Sequence, residues 1–276
     1  MRSIKIIEKL TVGKHDLATC EDGIVATGSH VAVIDGSTSK AAVQQKSTMR
    51  NGRLAMMLVS EAVERLSPTA TCEDFCDQVT HHIHACYESH HLSHERLIAH
   101  PEERLTASVA IYSLYHEEVW MVGDCQCLVG GKIYDNPKPE EERIARKRSV
   151  IIKQMLDEGK ADVAMLQHHD LGRDVIVGEI VQTCHSQNVL FSVADGFPIA
   201  MQHVRRIDVS GAGEVVLATD GYPFLHPTLE ASEAALAAQL RDDPLCIHHF
   251  LATKGLMQGN VSFDDRAYVR FCIEKS

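Results

Sequence analysis

Residues 31–38 read Val31-Ala32-Val33-Ile34-Asp35-Gly36-Ser37-Thr38: an uninterrupted apolar run that ends in an aspartate and a glycine. The run predicts a buried strand, and Asp35-Gly36 predicts the turn that ends it. Just upstream, GIVAT (23–27) predicts a partner strand, with Gly28-Ser29 as the turn between them and Glu21-Asp22 ahead of it. Downstream, a long helix is expected over 38–66. Thr38 or Ser39 would be its N-cap, Leu54, Met57, Leu58, Glu61, Ala62 and Arg65 keep helical spacing, and Pro68 lies just past the end.

A second helix is expected over 72–97, with Phe75, Val79, Ile83 and Tyr87 at four-residue steps. TASVAIYSLY (106–115) and VWMVGDCQCLVGGKIY (119–134) predict a hairpin and a further strand, with a tight turn at Gly130-Gly131. Helical composition returns over 139–158. Residues 175–220 alternate short apolar runs with turns at Asp195-Gly196 and Gly211–Gly213, and read as strands that end in EVVLATDG (214–221). Two helices over 228–240 and 244–258 and a last strand, SFDDRAYVRFCIE (262–274), complete the order. Regular βαβ alternation is missing, which predicts an α+β protein with helices outside antiparallel sheets. No linker or repeat divides residues 1–276, so a single domain is expected.

The balance of 27 basic and 38 acidic side chains, a formal charge of −11, excludes a broad nucleic-acid-binding face. Arg143, Arg146, Lys147 and Arg148 form a basic run that reads as a solvated helix face. Hydrophobic residues at 45% and charged residues at 24% are those of a globular chain. No stretch approaches the roughly 18–20 apolar residues of a spanning helix, so no membrane partner is expected. The first residues, MRSIKIIEKLTVGKHD, lack the core of a secretory signal. The nine cysteines form no C-x-x-C pair, so reduced thiols and a cytoplasmic location are expected.

The informative chemistry is a set of acids at strand ends: Glu21-Asp22, Asp35, Asp124, Asp220 and Asp264-Asp265. A carboxylate beside an apolar strand is costly to desolvate without a positive partner. If such acids converge, repulsion raises their pKa values or recruits cations. Carboxylate oxygens suit hard divalent ions such as Mg²⁺ or Mn²⁺.

The ordered series VAVIDGST, ASVAIYS with VWMVGD, VVLATDGY and FDDRAYVRF resembles the metal-dependent serine/threonine phosphatases of type 2C, the PPM family, over residues 20–272. PEEERIA after the third motif is similar to a segment of that family as well. The resemblance implies a four-layer αββα sandwich, two antiparallel sheets face to face with helices outside each. It implies two Mn²⁺ or Mg²⁺ ions bridged by Asp35 and assisted by the Gly36 carbonyl. Asp220 and Asp264 would bind the second ion, Glu21 or Asp22 would hold bound water or ligate directly, and Asp124 would serve a third, weaker ion. The reaction implied is hydrolysis of phosphoserine, phosphothreonine or a small phosphomonoester by a metal-bridging hydroxide, with Asp35 and Asp220 catalytic through that hydroxide.

The family's D-G-H-G-G is replaced here by Asp35-Gly36-Ser37-Thr38-Ser39, so Ser37 stands where the proposed general-acid histidine would be. Leu17 replaces the phosphate-binding arginine, and Asp265 stands where many members carry asparagine. Lys40 and Arg173 are the candidate phosphate ligands, Arg173 for its bidentate fork. These departures also suit a catalytically weak or inactive scaffold of the same fold, or a metal hydrolase for a non-phosphate substrate.

Seventeen histidines, six of them at His81, His82, His84, His90, His91 and His94, raise zinc, but H-E-x-x-H is missing. His168, His169, Asp170 and Arg173 read as a surface loop ahead of a strand. G-x-S-x-G is missing, which removes serine-hydrolase chemistry, and Gly211-Ala212-Gly213 precedes a strand, not the helix of a dinucleotide loop.

Overall fold

The computed structural model of the protein describes residues 2–38 and 49–275. One five-stranded antiparallel sheet contains β2 (Asp22–Ala26), β3 (His30–Gly36), β4 (Ala107–Ser113), β5 (Glu118–Val122) and β8 (Arg205–Asp208), in that spatial order. The other contains β1 (Arg2–Val12), β10 (Arg266–Lys275), β9 (Glu214–Ala218), β6 (Gln126–Val129) and β7 (Lys132–Tyr134). The helices are α1 (Asn51–Glu64), α2 (Cys72–Ser89), α3 (His94–Ala99), α4 (Glu141–Asp157), α5 (Val163–His168), α6 (Leu171–Thr183) and α7 (Leu229–Asp242).

The pleat explains the apolar run. Successive side chains of a strand point to opposite faces. Val31 and Val33 enter the core between the sheets with Val215, Leu217, Val269 and Phe271. Ala32 and Ile34 pack outward beneath Val59 and Val63 of α1 and Phe75 and Val79 of α2. Tyr222, Leu225 and Leu229, ahead of and at the start of α7, cover the outer face of the other sheet at Val216 and Tyr268. This is the expected αββα layering. Both faces of the central strands are covered, so they cannot alternate apolar with polar residues.

Several local expectations are corrected. The expected helix is not continuous: residues 49 and 50 are not helical and α1 begins at Asn51; Ser39 and the residues up to 48 lie outside the described residues, and the Thr38 hydroxyl donates to the Glu21 carboxylate. The second helix stops at Ser89, where His91 takes a positive φ of 56°, and a separate α3 follows. Residues 171–183, read in part as strand for their β-branched composition, are helical. Ile176 and Ile180, four apart, pack on Ile144 of α4, and Asp170 caps the first turn. No helix spans 244–258. There the Asp243 carboxylate accepts the backbone N–H groups of Ile247, His248 and His249, which holds the chain in a loop. The N-terminal stretch, unassigned from sequence, is β1, paired along its length with β10.

The nine cysteines are free. Among the described residues, no helix is long and apolar enough to cross a membrane.

Candidate metal centre

The acids come together because each ends or begins a strand on the same side of the sandwich. Asp22 opens β2 and lies opposite Asp35 in the β2–β3 register, and Asp35 in turn lies opposite Ser108 of β4. Asp220 follows β9 and Asp264 precedes β10, its neighbour in the other sheet. Carboxylate oxygens of Asp35, Asp124 and Asp220 lie within 4.8 Å of one another. Asp35, Gly36, Asp220, Asp264 and Asp265 line one cavity.

Two glycines permit this approach. A Cβ on Gly36 would stand 2.0 Å from the Gly52 carbonyl oxygen and 2.8 Å from that of Glu21, so only glycine lets the β3 end meet the start of α1. Gly123 has a φ of +81°, and a Cβ there would stand 2.2 Å from Ser108 Oγ. That close passage brings Asp124 Oδ1 to 2.6 Å from the Ser108 hydroxyl, which donates to it.

The cluster divides electrostatically. Burial first, and then repulsion from neighbouring acids, pushes the carboxyls of Asp22, Asp35 and Asp220 well above the ordinary range. Burial works the same way on Asp124 and Asp264, but ammonium groups win. Lys138 Nζ is 2.5 Å from Asp124 Oδ2. Lys254 pairs with Asp264, as does Lys14 Nζ at 3.2 Å. Both acids are thereby held below the ordinary carboxylate range. Lys14 also pairs with Asp265 at 3.2 Å and approaches Glu21 at 3.7 Å.

The unpaired part of the cluster fits hard cations. Glu21 Oε1 and Asp22 Oδ2 are buried without a hydrogen-bond partner, a costly state for oxygen acceptors that a cation would relieve. The Gly36 N–H donates to the Glu21 carbonyl at 2.9 Å, and the Gly36 carbonyl abuts Gly52. The donors are all oxygens, the set suited to Mg²⁺ or Mn²⁺.

Arg173 belongs to the first turn of α6, not to a loop, and lines the same cavity. Its Nη1 donates to the Thr253 carbonyl at 2.7 Å, and burial lowers its pKa. Lys40 lies outside the described residues. Sequence reasoning missed Lys14, Lys138 and Lys254. Each is an isolated lysine in a loop, with no periodic relation to the acid it meets, and only the folded chain reveals the pairs. Of the histidines weighed for zinc, His94 stacks on Phe197 at 5.0 Å and His90 Nδ1 bonds the Cys86 carbonyl at 2.9 Å.

No protein-family model and no curated sequence matches the chain. Solved structures do. The serine/threonine phosphatase Stp1 from Staphylococcus aureus matches with a TM-score of 0.50 and 11% identity, over 100% of this chain and 96% of that one. The phosphatase PstP/Ppp of Mycobacterium tuberculosis gives 0.49 and 14%, over 99% and 100%. The PstP catalytic domain in complex with two manganese ions gives 0.48 and 14%, over 100% of both chains. At such identities the likeness is one of architecture. The chain has the fold of the type 2C serine/threonine phosphatases.

Proposed function

We propose that the protein is a divalent-metal-dependent phosphomonoesterase, working as one catalytic unit on phosphoserine, phosphothreonine or a small phosphate ester. The observation that carries this reading is the convergence of Asp35, Asp124 and Asp220 within 4.8 Å, with Asp35 and Asp220 on a cavity that also holds Lys138, Lys254 and Arg173. Glu21, Asp22, Asp35, Gly36, Asp220 and Asp264 would hold two Mn²⁺ or Mg²⁺ ions, with Asp124 beside them for a third. When bound, the ions supply Lewis acidity and an activated water. The chain's own contribution is positional and electrostatic, as phosphoryl transfer requires. Lys138, Lys254 and Arg173 set positive charge along the cavity wall, where a phosphate dianion needs it. Asp35 and Asp220 hold the reacting centre at the strand ends, and Lys40 remains a further candidate for the phosphate.

Purified protein with Mn²⁺ is expected to hydrolyse p-nitrophenyl phosphate, and Asp35→Asn or Asp220→Asn to abolish the turnover. Full activity in both variants would overturn the assignment. The lysine pairing of Asp124 and Asp264 favours a second reading, a metal-free scaffold of the same fold. Calorimetric titration separates the two, because a scaffold takes up no divalent ion at millimolar concentration.

A further inference from the structure

The acid and lysine centre is the meeting line of two clefts. Lys138, Asp220, Thr253, Lys254 and Asp264 line both. From that line one cleft runs to Ile144 and Ile180 on α4 and α6 and to Leu190 and Phe191. The other runs to Tyr222, Pro223, Phe250 and Phe263. Neither space is explained by a phosphate group, which needs only the shared polar centre.

Both ends are apolar and built. Leu190 sits on a closed turn, where its N–H donates to the Ser186 carbonyl at 2.9 Å and Asn188 N–H donates to the Phe191 carbonyl at 2.8 Å. Asn188 takes the positive φ of 54° that this turn needs, and its side-chain amide donates to Asp195 at 3.0 Å. The turn presents Val189 and Leu190 to solvent at 62% and 54% exposure. Phe250 and Phe263, which line the second cleft, form an aromatic ladder with Phe224 beside it, with ring centroids 5.7 and 6.3 Å apart. Phe224, at its outer end, is 40% exposed. Apolar surface held in fixed geometry in two clefts that meet at one charged centre suits a chain that passes over the centre, with apolar groups on either flank removed from water.

We propose that these clefts seat apolar side chains on either side of the phosphorylated residue. The favoured substrate is then an internal phosphoserine or phosphothreonine in an extended segment with apolar neighbours, not a free small phosphate ester. The inference rests on the phosphatase reading for its chemistry, but its geometry is separately testable. A small ester would fill one cleft at most, and an acidic segment would meet Glu141 and the carboxylates of the shared wall.

The test compares two phosphoserine peptides, one with leucine and phenylalanine around the phosphoserine and one with glycine and aspartate there. Turnover with Mn²⁺ and binding to the Asp35→Asn variant by fluorescence polarisation are both measured. Apolar flanks are expected to raise kcat/KM and affinity by roughly tenfold or more, the scale of one well-filled apolar pocket. Leu190→Asn and Phe250→Ser, with native circular dichroism, should each lower the preference on one side of the phosphoserine. Equal turnover of both peptides overturns the clefts and leaves the phosphatase reading standing. Failure to hydrolyse either peptide or any aryl phosphate, together with preferential binding of the apolar peptide, overturns the phosphatase reading and supports the clefts. Equal or undetectable binding of both peptides overturns the proposal.

Discussion

Arg148 and Asp170 form a buried two-pronged ion pair, Nη2 to Oδ2 at 2.7 Å and Nε to Oδ2 at 3.0 Å. The same guanidinium donates through Nη1 to the carbonyls of Leu245 and Ala252 at 2.9 and 3.0 Å. Asp170 meanwhile accepts from the Arg173 N–H at 2.9 Å, at the start of α6. One fully buried side chain on α4 thus ties together the helix that carries Arg173 and the loop that carries Thr253 and Lys254.

Arg148→Met is therefore expected to leave Asp170 buried without its counter-charge, at a cost of about 3–5 kcal/mol. Arg148→Met combined with Asp170→Leu should recover much of that loss, because the pair is replaced by apolar groups instead of broken. Thermal unfolding of the wild type and both variants checks this. A double variant no more stable than the single one would show that the carbonyl bonds, not the ion pair, dominate.

Asp35 lies opposite Asp22 in register and near Asp124 and Asp220. Burial and these neighbours raise its pKa, and those of Asp22 and Asp220. With the folded pKa above the unfolded value, ionisation works against the fold, so metal-free stability is lost as pH rises through the ordinary carboxylate range and beyond. Asp35→Asn should then raise the unfolding midpoint in EDTA at neutral pH by several degrees. It should also remove the upward shift that Mn²⁺ produces in the wild type. A midpoint lowered in EDTA would refute the electrostatic account.

The layering was legible because its signals are local. Val31 to Ile34 announces a doubly covered strand, and Asp35, Asp220 and Asp264 each follow or precede an apolar run. Two segments misled for physical reasons. Val175, Ile176 and Val177 have strand-like composition, and α6 is decided by contacts with Ile144 and by the Asp170 cap. Residues 244–258 carry few breakers, yet Asp243 takes the N–H groups a helix would need, and Arg148 takes two of the carbonyls. The acids of the site were visible as a pattern, but the lysines that neutralise half of them were not. A salt bridge such as Lys14 to Asp264, 250 residues apart, leaves no periodic trace.

Lys138 occupies the Asp124 oxygen left free by Ser108. Burial opposes the charge on both groups, and the pairing keeps Asp124 ionised and Lys138 protonated. Lys138→Ala should free that oxygen for a cation, so calorimetry is expected to find the weakest Mn²⁺ site, the one beside Asp124, bound more tightly than in the wild type. If Lys138 also faces the phosphate, KM for an aryl phosphate rises while the tighter Mn²⁺ sites are unchanged. An unaltered affinity at the weakest Mn²⁺ site would mean that Asp124 is structural only.

His30, at the start of β3, is wholly buried. Its Nδ1 lies 3.1 Å from the Ser29 hydroxyl, and its Nε2 has no hydrogen-bond partner. Burial, and secondarily the nearby His116, push its pKa down from 6.5 to about 4. A histidine depressed in the fold favours the neutral state, so its contribution is intact above pH 6.5 and is lost as pH falls towards about 4. The unfolding midpoint of the wild type should therefore drop more steeply across that window than that of His30→Leu, which has no proton to take up. The acid cluster titrates equally in both proteins and cancels in the difference. Parallel curves for the two proteins between these pH values would show that His30 is not the group that senses acid.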